Sequence, residues 1–239
     1  MHWTRDRTGR FSERPYYSTD ELESESEHLI TTFLRSRHGH VAFPIATDDL
    51  TVLVEHLGGV LDLYADLSTD ERSVEGYTDF VQGRKPLVRI SRQLSEHPRY
   101  ENRFRTTLTH EGTHVWLHRA LWEMRWRLGH LFDGSRRVTY VCHQATMLRA
   151  PASDWAEWQA GYVSGALLMP ISALREVIQR VLEREQRLRG PFLVSSPAGQ
   201  LLVQEVMVTF AVSEEAARVR LLQRAMLTEE PVVQGELFG

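Results

Sequence analysis

Thr107-Leu108-Thr109-His110-Glu111-Gly112-Thr113-His114-Val115-Trp116 is the stretch from which the fold reads outward. Pro98 stands upstream, where a helix can open because the missing N–H matters little in a first turn, and the pattern predicts helix over about 98–120. Four residues advance a helix by slightly more than one turn. His110 and His114 therefore project from one face and can grip one Zn²⁺. Glu111 sits one residue round, placed to take a proton from a water at the metal as a general base. Gly112 and Thr113 are uncharged and Val115 and Trp116 apolar, which suits a helix half-buried under a site. A surface pair of histidines with a salt-bridging glutamate would carry charges there.

A catalytic zinc keeps three protein ligands and one open position, so a third ligand is needed. The segment Asp154-Trp155-Ala156-Glu157-Trp158-Gln159-Ala160-Gly161-Tyr162-Val163-Ser164-Gly165-Ala166-Leu167-Leu168-Met169-Pro170 offers Glu157, followed at helical spacing by the small residues Ala160, Gly161, Ser164 and Gly165. Small residues let two helices approach closely, which would bring the carboxylate to the metal. Asp154 competes as ligand, although an Asp at that place commonly caps a helix.

Further elements follow from local signals. An N-cap at Ser18 or Thr19, acids in the first turn and Gly39 after two arginines predict helix over about 20–37. A second helix opens at Thr47 with a Leu50, Leu53, Val54, Leu57 stripe and closes at Gly58-Gly59. Strands are expected near 60–64, 77–81 and 87–91, the last two as a hairpin, with a short strand through Val138, Tyr140 and Cys142. Helices are expected over about 154–168, 171–189, 198–210 and 214–226, the last capped by Ser213. Residues 1–18 are arginine-rich without apolar periodicity and are expected as a disordered arm. A main domain over 19–190 and a small helical extension over 191–239 complete the division.

Composition narrows the class. The 239 residues are 42% apolar and 25% charged, ordinary for a folded protein, with a formal charge of -4 that offers no broad positive field for nucleic acid. Cys142 is the only cysteine, so no internal disulfide forms. Neither a signal-peptide core nor an apolar run of membrane-spanning length is present, and a cytoplasmic location is expected. The paired tail helices invite a DNA-binding reading, but 191–239 holds three arginines against six glutamates, the wrong balance for phosphate contacts.

Together the two quoted segments resemble the ImmA/IrrE family of zinc metallo-endopeptidases, in which a His-Glu-x-x-His helix is followed by a Glu-x-Gln-Ala-Asn-x-Phe-Ala-x-x-Leu-Leu-Met-Pro helix. His110, Glu111 and His114 match, as do Glu157, Gln159, Ala160, Leu167, Leu168, Met169 and Pro170. Gly161, Val163 and Ser164 replace the family's Asn, Phe and Ala, so a hydrogen bond from that Asn is lost here. The resemblance runs more weakly from about residue 45 to 226 and leaves the first forty residues outside it. It implies an α+β, zincin-like domain with helices packed on a small mixed sheet, followed by a helical C-terminal extension. One zinc per chain would be held by His110, His114 and Glu157, with Mn²⁺ or Fe²⁺ able to use a similar site. Hydrolysis of a peptide bond with Glu111 as base, and an intracellular helix-turn-helix repressor as protein substrate, are the implied activity and partner. No membrane partner is implied. An extended substrate would lie along an edge strand, for which 87–91 is the candidate. The rival is a regulatory binding protein that holds zinc without cleaving, against which the intact Glu111 speaks.

Secondary signals remain. Cys142 reads as a small core residue or a thiolate latch on the metal. His118, one turn past His114, reads as an outer partner of the site or a surface residue. Tyr140, His143 and Tyr162 are candidates for stabilising an oxyanion.

Overall fold

In the computed structural model of the chain, which describes residues 1–68, 74–128, 136–143, 150, 153–186 and 191–230, the first sixteen residues form a hairpin where the sequence suggests a loose arm. Strands β1 (His2–Arg5) and β2 (Glu13–Tyr16) pair antiparallel, from His2 opposite Tyr16 to Arg5 opposite Glu13. Apolar periodicity does not hold this segment. The Asp6 carboxylate does, accepting from the backbone N–H of Thr8 and Phe11 (both 2.9 Å) and from the Trp155 indole (3.0 Å).

Helix α1 (Thr19–His38) opens on a capping box between Ser18 and Glu21 and ends at Gly39, whose φ of 79° is the left-handed conformation glycine adopts without a Cβ penalty. After α2 (Thr47–His56) come β3 (Val60–Ala65), β4 (Val74–Val81), β5 (Leu87–Ser91) and the short α3 (Arg92–Glu96). A 3₁₀ turn at Pro98–Tyr100 leads into α4 (Glu101–Thr113). The expected helix continues past this point through a π-helical turn at His114–His118 and then α5 (Arg119–Arg127). Strand β6 (Arg137–His143) and α6 (Trp155–Leu168) follow. Beyond these lie α7 (Ile171–Arg184), β7 (Phe192–Leu193), α8 (Pro197–Phe210), α9 (Glu214–Gln223) and β8 (Leu227–Thr228).

Two compact units result, Met1–Leu168 and Met169–Gly239, so the boundary falls earlier than the expected residue 190. The reason is packing: α7 lies on α8. In the first unit a four-stranded mixed sheet has the order β3-β5-β4-β6, with β3 and β5 parallel and the other pairs antiparallel. Helix α4 crosses this sheet against β4 and β5, and α6 packs beside α4, with α1 on α6 and α2 on α4. The architecture is α+β.

The sheet order corrects one expectation. Strand β5 is interior, because the backbone from Val60 to Asp62 pairs with Leu87 to Arg89 on the side the hairpin leaves open. The edges are β3 and β6, and β6 is the one that carries Tyr140 and Cys142 into the core. In the second unit β7 and β8 pair parallel, and Phe192, Leu202, Val206, Phe210 and Leu221 make a core that also encloses Arg220, whose guanidinium donates to the Met169 carbonyl. Ser213 caps α9 by accepting from the Ala216 N–H. No helix among the described residues is long and apolar enough to cross a membrane.

Candidate metal centre

A helix buried on nearly every side must hide its polar side chains as well as its backbone. In α4 the threonines manage this locally: Thr106, Thr107, Thr109 and Thr113 donate to the carbonyls of Asn102, Arg103, Arg105 and Thr109 at 2.8 to 3.1 Å. Thr109 also meets the Ser164 hydroxyl at 2.6 Å, and Ser164 donates to the Thr106 carbonyl at 3.1 Å. Ser164 thus joins α6 to α4 by hydrogen bonding as well as by small size. On the other side Gly76 of β4 lies so close that a Cβ there would sit 2.9 Å from Thr107 Cγ2 and 3.0 Å from the Arg89 carbonyl.

These contacts bring three donors to one point. His110 Nε2 and His114 Nε2 are 3.2 Å apart, and the Glu157 carboxylate reaches them at 3.1 Å and 3.5 Å. A four-coordinate zinc with bonds of roughly 2.0–2.1 Å has ligand–ligand edges of about 3.3–3.4 Å, and the separation of the two Nε2 atoms and the distance from each to its nearer carboxylate oxygen, Oε2 for His110 and Oε1 for His114, are close to that length. Both histidines are fully buried, while the Glu157 side chain keeps 18% exposure, so the trio opens to solvent on the Glu157 side. This is not a surface pair with a salt bridge. Burial works against ionising Glu157, but the His114 charge and the hydrogen bonds from both imidazoles outweigh it and hold the carboxyl well below its usual range.

Glu111 is fully buried beside them and does not join the trio. Its Oε2 accepts from the Thr78 hydroxyl of β4 at 2.5 Å, while Oε1 has no hydrogen-bond partner among the described residues. Burial pushes this carboxyl up to about 8, against the lowering by His114 and by the Thr78 bond. A carboxyl anchored on one oxygen, with the other lacking a partner among the described residues, can give or take a proton at that second oxygen.

The remaining candidates separate. Asp154 lies outside the trio, bound by Arg10 of the N-terminal hairpin through two parallel hydrogen bonds of 2.7 Å. Tyr162 donates to Glu23 of α1 at 2.5 Å on the far side of α6, which takes it away from any oxyanion. Tyr140 stacks on His114 with centroids 4.5 Å apart, and its buried hydroxyl lacks a well-formed hydrogen bond among the described residues. Tyr140 and His143 both border a cavity of about 390 Å³ lined along β6 and by Arg10, Asp154 and Glu157. Cys142 is buried, and its sulfur lies within 4.8 Å of donor atoms of His110 and Glu111 but does not group with His114 and Glu157. Burial, with the charges of Glu111 and Glu157, raises the thiol well above its ordinary value.

His118 is fully buried, its Nδ1 2.9 Å from His114 Nδ1 and its Nε2 3.2 Å from Gln159 Oε1. Burial pushes its imidazolium down to about 3, and the neighbouring His114 adds to this.

Compared with known proteins, the chain matches no protein-family model and no curated protein. Sequence reasoning reaches His110, Glu111, His114 and Glu157 but misses Thr78, Arg10 and the partnership of His118 with Gln159. Thr78 is one hydroxyl in a strand, and nothing local marks it. A buried polar residue alternating with Tyr77 and Asp79 is the faint signal it leaves.

Proposed function

We propose that this chain is a zinc-dependent endopeptidase of the ImmA/IrrE kind with a zincin-like first unit. In this reading His110, His114 and Glu157 hold the ion, and Glu111 is the general base. The observation that carries it is the convergence of three donors at tetrahedral-edge spacing beside a buried carboxylate that is anchored on one oxygen only. Mn²⁺ or Fe²⁺ would fit the same donors.

The ion would supply Lewis acidity, lowering the pKa of a water and polarising the substrate carbonyl. Glu111 Oε1 takes the proton from the attacking water and passes it to the leaving amine. Thr78 keeps the carboxylate turned towards that water by donating to Oε2. The Tyr140 hydroxyl, buried and without a well-formed bond among the described residues, would be the donor to a developing oxyanion. Strand β6, an edge among the described strands, would pair by its main chain with an extended peptide, and the cavity lined by β6 and Glu157 would receive a substrate side chain.

By resemblance, the substrate is an intracellular helix-turn-helix repressor whose cleavage derepresses genes. A regulatory protein that holds zinc without cutting would have no use for an anchored base beside the donors. The test is digestion of candidate repressors and of a peptide library by wild type and by Glu111→Gln. Cleavage by wild type alone, with zinc retained in both, supports the proposal. Equal biological effect of the two proteins, with no cleavage by either, would overturn it in favour of the non-cleaving regulator.

A further inference from the structure

The His114 imidazole has two nitrogens, and only an Nε2 without a proton can join the donor trio. What fixes that state is a question of where the proton on Nδ1 goes. His114 Nδ1 faces His118 Nδ1 at 2.9 Å, and His118 Nε2 faces Gln159 Oε1 at 3.2 Å, all three side chains being buried. An amide oxygen only accepts, so His118 carries its proton on Nε2 and donates it to Gln159. His118 Nδ1 is then bare and must accept, which fixes a proton on His114 Nδ1. The proton that His114 gives up to take an ion is then the one on Nε2, and its loss leaves a lone pair directed at the point shared with His110 and Glu157.

We infer that His118 and Gln159 are positioning residues for the metal centre, a two-step hydrogen-bond chain that locks His114 in its metal-ready tautomer. The π-helical turn at His114–His118 and the stacking of Tyr140 on both rings, at 4.5 and 5.6 Å, hold the two imidazoles in this relation. His110 has no counterpart to this chain, since its Nδ1 is buried without a hydrogen-bond partner among the described residues. The two helix ligands are therefore unequal, and His114 is the organised one. Glu157 and Gln159 lie two residues apart in α6, so one helix supplies both a ligand and the end of the chain that aligns another.

The inference rests on the zinc reading, and its test has one arm that does not. In metal-free protein, ¹⁵N–¹H correlation spectra of the histidine side chains should show His114 carrying a proton on Nδ1 and His118 as the Nε2–H tautomer. A His114 whose Nδ1 carries no proton would overturn the proposal whether or not zinc binds. In the second arm, zinc affinity is measured by competition with a chelating dye for wild type, His118→Leu, His118→Asn and Gln159→Met. Loss of an outer partner of this kind costs about 10- to 100-fold in metal affinity. That loss is expected for His118→Leu, with a smaller loss for Gln159→Met. His118→Asn should recover most of the affinity, because its amide oxygen can accept in place of Nδ1. Wild-type affinity in both His118→Leu and Gln159→Met would overturn the chain, as would an Asn variant no better than Leu at equal thermal stability. A wild type that binds no zinc fails the functional proposal and leaves the spectra to decide the hydrogen-bond chain.

Discussion

Thr78→Val removes one hydroxyl from β4 with almost no change in volume, and what it removes is the only hydrogen bond reaching the Glu111 carboxylate among those described. Hydrogen bonds to charged groups contribute about 1.5–3 kcal/mol, and about 1.4 kcal/mol is a tenfold change in rate. If the bond serves to aim and ionise the base, kcat falls roughly 10- to 100-fold in the variant. KM and zinc content should stay near wild type, because Thr78 touches neither the donor trio nor the cavity along β6. The sign of the pH effect is also fixed. A donor favours the charged carboxylate, so without it Glu111 ionises only at higher pH, and the acid limb of the kcat profile moves upward in pH. The assay is steady-state cleavage of a quenched peptide chosen by library digestion, run across pH with zinc content measured in parallel. A kcat within about twofold of wild type, zinc retained, would refute the role given to Thr78. Loss of zinc instead would mean that the threonine supports the donor cage.

Other consequences can be checked together. Arg10→Ala breaks the paired hydrogen bonds to Asp154, a pair about one-third exposed and screened accordingly, and should loosen the N-terminal hairpin by about 1 kcal/mol. Faster hydrogen exchange over residues 2–16, with global stability little changed, is the expected result, and unchanged exchange would contradict it. Gly76→Ala puts a methyl 2.9 Å from Thr107 Cγ2 and 3.0 Å from a backbone carbonyl, and the resulting shift of β4 from α4 should cost about 1–3 kcal/mol by denaturant unfolding and lower activity through Thr78. Chelation should lower the melting temperature, since zinc at 1,000 times its Kd stabilises by about 4 kcal/mol; a melting temperature indifferent to chelator would argue against a resident ion.

Much of the site was legible because its signals are local. The four-residue spacing of His110 and His114 sets both on one helix face, and the small residues of α6 announce a close helix contact. Caps at Ser18 and Ser213 mark helix starts by their own side chains. What was not legible depends on partners distant in sequence. The interior place of β5 is decided by its parallel pairing with β3, and a parallel register leaves no turn signature. The N-terminal hairpin has no apolar alternation, being organised by Asp6, by Arg10 on Asp154 and by Phe11 tilted against Trp122 with centroids 4.7 Å apart. The spacing of His118 leaves an outer partner of the site and a surface residue both open, and the π-helical turn and Tyr140 decide it by holding the ring against His114 in the core.

The most direct test of the central claim is the metal content of purified protein, by elemental analysis after loosely bound ions are removed, for wild type, His114→Ala, Glu157→Ala and Asp154→Ala. The account predicts one zinc per chain in wild type and in Asp154→Ala, and its loss in the other two. A wild type that stays metal-free when zinc is offered, or a Glu157→Ala that keeps its zinc while Asp154→Ala loses it, would contradict the account.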